Sequence, residues 1–209
     1  MSLFSTAVKL FRLATADPAR PARRRPRRLA RPLEQLALEL GPEQLRWRFS
    51  RLVVASRHAG RIRERLDFVR AFYPELDGIT VRVGLAQKPG VLGWGSLDPD
   101  QPGVWVRPRR LDHFTIAHEF THLLQARGLV PRGERACDLW ALARTPLVVD
   151  HPPSYLRLPG WLRRKRQLTT AQATLLSALA REAIAAREAG DRCYLKRFEQ
   201  EAARRLGHG

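Results

Sequence analysis

Residues 114–125 read FTIAHEFTHLLQ, and within this apolar run His118, Glu119 and His122 stand in the order HExxH. No other feature restricts the fold of the chain as much. Side chains four residues apart lie one above the other on a helix, so the two imidazoles share a face and can converge on one metal ion, with Glu119 beside them. Phe114, Ile116, Ala117, Phe120, Leu123 and Leu124 supply enough apolar surface to bury such a helix, and Arg127-Gly128 supplies its C-terminal stop. A buried helix whose histidines merely filled core positions would have to find a separate partner for each of these polar groups.

The rest of the chain divides around this helix. Upstream, residues 33–40 and 44–72 carry apolar residues at helical spacing, with breaks expected at Gly41-Pro42 and near Gly60. After the turn Tyr73-Pro74 the period shortens. Segments 79–83, 91–94 and 104–106 are short and rich in β-branched and aromatic residues, and they predict three antiparallel strands. Downstream of the HExxH helix, 129–133 is a loop and 134–144 a second helix, stopped before Pro146. Segment 150–156 is irregular and polar. Thr169 or Thr170 then caps a long helix reaching Glu188, and a last helix runs from about Arg192 to Leu206. The expected class is α+β: a small three-stranded antiparallel or mixed sheet packed on the HExxH helix, with helical N- and C-terminal extensions. The expected divisions are 1–32, 33–78, 79–158 and 159–209.

The chain has 209 residues, enough for one ordinary domain without staples. Its two cysteines, Cys137 and Cys193, make neither a disulfide framework nor a paired-cysteine zinc module, which suits the cytoplasm. Cys137 and Trp140 read as core residues. The net charge is +18, from 38 basic and 20 acidic residues, and all but four of the basic residues are arginine. Residues 1–32 hold nine basic residues against Asp17 alone, a net of +8, and four prolines exclude regular helix from 18 to 32. This arm could touch nucleic acid electrostatically without reading sequence, although a solvated tail is the plainer reading. Ahead of it, Leu3, Ala7, Leu10, Phe11 and Ala14 mark a short amphipathic helix. No stretch approaches the roughly twenty apolar residues of a membrane span.

Two histidines leave zinc short of the three protein ligands a catalytic site uses. Glu134, Asp138, Asp150 and His151 are the downstream candidates. Glu134 and Asp138 form ExxxD on the second helix, so one carboxylate can bind the metal while the other orients a ligand histidine. HExxH followed by ExxxD, with a sheet ahead of both, resembles the gluzincin metallopeptidases, and among them the minimal gluzincins, over about residues 79–144. The resemblance implies a zincin-like fold and one Zn2+ held by His118, His122 and Glu134. It further implies Glu119 as general base, Asp138 as the carboxylate behind a ligand histidine, and a peptide or protein substrate paired along strand 104–106. Tyr155 and His151 are candidate donors to the developing oxyanion, and His113 a third. Other HExxH proteins frame the alternatives. SprT-type proteases take a histidine as third ligand, and here the next histidine is His151. Repressor-cleaving proteases share the HExxH-plus-glutamate pattern. A reading of a different class is a basic nucleic-acid-binding protein with a vestigial metal site.

Overall fold

The computed structural model describes residues 46–86 and 93–207. The chain divides between Leu38 and Glu39, and the described residues all belong to the second unit. The expected amphipathic helix, the arm and the helix at 33–40 lie outside the described residues.

Four strands and seven helices appear among the described residues: β1 (Trp47–Phe49), α1 (Arg51–Val54), α2 (Ala59–Arg70), β2 (Val81–Leu85), β3 (Gly93–Gly95), β4 (Gly103–Val106), α3 (His113–Ala126), α4 (Glu134–Arg144), α5 (Gly160–Arg163), α6 (Thr170–Glu188) and α7 (Tyr194–Leu206). The architecture is α+β. The sheet is mixed, one of the two forms expected, but has four strands where three were expected, in the order β1-β2-β4-β3. β1 and β4 both run parallel to β2, and only β3 is antiparallel to its neighbour. Parallel neighbours need a long crossover, and α1 with α2 supplies the one between β1 and β2. β1 falls where helical spacing was expected, since three residues are too few to display a period of two.

One face of the sheet is sealed by α3. Val81, Val83, Val104 and Val106 alternate inward onto Ile116 and Phe120, and all are buried. Phe120 meets the ring of Tyr73 edge-on at 5.5 Å and stacks on Trp47 at 5.9 Å. Tyr73 also donates its hydroxyl to the Ala117 carbonyl at 2.7 Å, which fixes the rotation of α3 about its axis. The expected helix boundaries downstream recur: α4 ends at Arg144, and Thr169 forms a capping box with Gln172 at the head of α6. Gly128, at φ 73°, closes α3, with Leu129 N–H reaching back to the Leu124 carbonyl at 3.0 Å. No helix among the described residues is long and apolar enough to cross a membrane.

Candidate metal centre

α3 presents His118, Glu119 and His122 to one side, and α4 packs alongside with Glu134, Cys137 and Asp138 turned toward them. Gly133, at φ 113°, precedes α4 and lets the chain turn so that Glu134 opens the helix.

The tautomers of both histidines follow from their partners. Nδ1 of His118 lies 2.7 Å from Oδ1 of Asp138, which is 1% exposed and, as a carboxylate, can only accept, so Nδ1 carries the proton. Nδ1 of His122 lies 2.9 Å from Oε1 of Gln125. The amide of Gln125 is oriented by donating to the carbonyls of Pro131 at 2.7 Å and Gly133 at 3.0 Å, so its oxygen faces the ring. Both rings therefore spend Nδ1 as a donor and offer Nε2 as a lone pair. The two Nε2 atoms are 3.1 Å apart, and Oε2 of Glu134 stands 3.2 Å from one and 3.4 Å from the other. Three acceptor atoms in so tight a triangle call for a cation between them.

The electrostatics show how strongly this triangle attracts positive charge, since without a metal it holds protons on the two rings. Burial would lower His118, but hydrogen bonding with Asp138, Cys137 and Glu134 carries it far above the ordinary histidine range. The same contest raises His122 to about 10, with Cys137 and Glu134 outweighing burial. The two histidines hold Glu134 down at about 2. Glu119 goes the other way: burial lifts it to about 7, with the histidine charges opposing, and its Oε2 is buried with no protein partner.

A second donor stands near. His118, His122 and Cys137 form a group whose ligand atoms lie within 4.8 Å of one another and which could hold a metal ion. Cys137 was expected as a buried apolar residue; it is buried, and its thiol donates to the His118 carbonyl at 3.0 Å. Gln125 was overlooked as well. The signal for both was helical spacing, Gln125 three residues after His122 and Cys137 three after Glu134.

The remaining candidates separate. Tyr155 stacks its ring on His118 at 5.5 Å, and its backbone N–H donates to Asp138 Oδ2 at 2.7 Å. Tyr155 and His151 line a cleft of about 370 Å3 together with Gly93, Thr115, His118 and Glu119. His151 donates Nδ1–H to the Pro152 carbonyl. Asp150 does not join the histidines: its two oxygens accept the N–H groups of His113 and Phe114 at 2.9 and 3.0 Å, capping α3 from a distant loop. His113 is spent on the same carboxylate at 3.2 Å and on the Phe68 ring.

The strand expected to border the cleft is also corrected. β4 is flanked on both sides, and the edge beside α3 is β3. A Cβ at Gly93 would stand 3.0 Å from Glu119 Oε1, and one at Gly95 would stand 2.6 Å from the Glu119 carbonyl oxygen. Only glycine lets this strand lie so close to the helix. Compared with family models, curated proteins and solved structures, the chain matches none.

Proposed function

We propose that this protein is a zinc-dependent metallopeptidase, with His118, His122 and Glu134 holding one Zn2+ and Glu119 acting as general base. The observation that carries the reading is the triangle of Nε2, Nε2 and Oε2 at 3.1, 3.2 and 3.4 Å. Ligands bound tetrahedrally at zinc's usual bond lengths stand about 3.3–3.6 Å from one another, and two imidazoles with a carboxylate is a donor set that leaves a fourth position open. Glu134 is preferred to Cys137 as third ligand because its side chain is 43% exposed, on the open side, whereas Cys137 is wholly buried against backbone.

Zinc, when bound, would supply Lewis acidity, acidifying water and polarising a carbonyl. The chain's own residues do the rest. Glu119 accepts a proton at its unpartnered carboxylate oxygen and passes it to the leaving amine. Asp138 and Gln125 keep both Nε2 lone pairs aimed inward. Tyr155 and His151 both line the cleft, which supports reading them as donors to a developing oxyanion. An extended peptide would add to the outer edge of β3, the antiparallel edge strand.

The test is metal and turnover together. Purified protein should carry about one zinc per chain by elemental analysis, and His118→Ala or His122→Ala should abolish it. Glu119→Gln should keep the metal and lower hydrolysis of a fluorogenic peptide mixture by about 10²–10⁴-fold. Turnover that survives Glu119→Gln would remove the catalytic assignment, and a chain that takes up no zinc would remove the metal.

A further inference from the structure

A larger cleft, of about 920 Å3, lies elsewhere and shares no lining residue with the one at the histidines. It opens beyond the carboxyl ends of the three parallel strands. Ser56, Arg57 and His58 follow β1 and α1, Ala86 follows β2, and Arg107 to Arg109 follow β4. In sheets with parallel strands this crevice is where ligands collect, because successive strands hand their loops to the same end.

Its walls are cationic. Arg57 and Arg109 are exposed, and among the described residues neither is paired with a carboxylate, whereas Arg135 and Arg144 meet Glu199 and Glu75. Arg57 donates Nε–H to Nε2 of His58 at 3.3 Å, which aligns the two side chains. Arg57 also belongs to the most basic stretch of the described residues. Between positions 46 and 65 there are seven arginines and one acid, Glu64, a net of +6 in twenty residues, whereas the 144 residues after them carry +7. Such a density draws in polyanions.

An aromatic platform lies on the same sheet, with Trp105 two positions before Arg107. The face of the sheet opposite the buried valines carries Arg48, Arg82, Trp94 and Trp105, and Arg107 extends the same alternation from Trp105 to the cleft. Trp94 stacks on Trp105 with centroids 3.9 Å apart and planes 10° from parallel, and remains 46% exposed. Gly84 and Gly103 make room for this, since a Cβ at either would run into the Trp105 indole. Arg82 is directed along the same face by its hydrogen bond to Gln101 at 3.0 Å.

A basic groove beside an exposed, flat indole is the pairing that holds single-stranded nucleic acid, phosphates along the cations and bases on the ring. An acidic polypeptide would use the arginines and leave the stack unemployed, and a duplex hides its base faces. We propose that the arginine cleft and the Trp94–Trp105 stack bind single-stranded nucleic acid without sequence readout, with phosphates at Arg57, Arg107 and Arg109 and a base on Trp94.

The test is fluorescence anisotropy of the full chain with a labelled oligothymidylate of about 12 nucleotides, over a salt series. Replacing Arg57 and Arg109 together by glutamine should make the slope of log K against log salt shallower by about 1.4, the loss of two phosphate contacts on a single strand. Trp94→Ala should weaken binding at least about fivefold with the slope unchanged, and Trp94→Phe should restore most of it. Thermal melts confirm that each variant is folded. Three outcomes would overturn the proposal: no binding at low salt, binding indifferent to both sets of substitutions, or displacement by poly-glutamate or the matching duplex as efficient as by unlabelled single strand.

Discussion

At the scale of single residues, the centre depends on which nitrogen of each imidazole is occupied. Asp138 satisfies two donors with one carboxylate, His118 Nδ1–H at 2.7 Å and Tyr155 N–H at 2.7 Å. Asp138→Asn therefore turns an amide NH2 toward one of them, and zinc affinity measured against a competing chelator should fall by about 10–100-fold. Gln125→Leu should do the same through His122, and Gln125→Glu should not rescue it, because a carboxylate would face the Pro131 and Gly133 carbonyls with no proton to donate. HExxH could be read from sequence because both histidines and the glutamate have distinctive chemistry at fixed helical offsets. Gln125 could not, because a glutamine acquires its role only from the carbonyls of Pro131 and Gly133 that turn its amide, and those arrive through the loop fold.

At the scale of elements, the HExxH helix is held by pieces distant in sequence. β3 lies so close that Gly95→Ala would set a Cβ 2.6 Å from the Glu119 carbonyl, and urea unfolding should show a loss of about 1–3 kcal/mol as strand and helix are pushed apart. The start of α3 depends on Asp150. Burial pushes its carboxyl up, but hydrogen bonds from the His113 side chain and from the N–H groups of Phe114 and His113 prevail and hold it below the usual range. A carboxylate depressed in the folded state stabilises it above the unfolded pKa, about 3.9 for aspartate, and the contribution is lost as pH falls through the lower folded value. Asp150→Ala should accordingly cost about 1–2 kcal/mol at neutral pH, as a lost helix cap does, and the gap to wild type should close on acidification below about pH 4. The long helices were legible because eleven or more residues display a 3.6-residue period, whereas the four-residue α5 was not. β1 was not, and neither was the edge position of β3, since strand order is set by pairing across the chain and leaves no mark in a three-residue segment.

At the scale of the whole molecule, the proposed ion ties α3 to α4, and through them the sheet to the C-terminal helices that pack on α4. A ligand that binds only the folded chain adds RT ln(1 + [L]/Kd), about 2.7 kcal/mol at one hundred times the Kd. Melting temperature should therefore rise with added zinc and fall with chelator, and His118→Ala should erase the difference. The charge divides on this scale as well. Read along the chain, the excess beyond residue 32 is a diffuse +10, but the fold brings Arg57 together with Arg107 and Arg109 in one cleft.

The sequence by itself determined the long helices, the α+β class, the two histidines with their neighbouring glutamate, and a short list for the third donor, because each is a matter of residue type at local spacing. Only the tertiary structure decided that Glu134 meets both Nε2 atoms while Asp150 caps a helix, that β3 and not β4 forms the edge, and that Gln125 and Cys137 stand at the centre. The physical reason is that a carboxylate or an amide has no role until the fold chooses its partner, and partners 16 to 37 positions apart are brought together by packing alone.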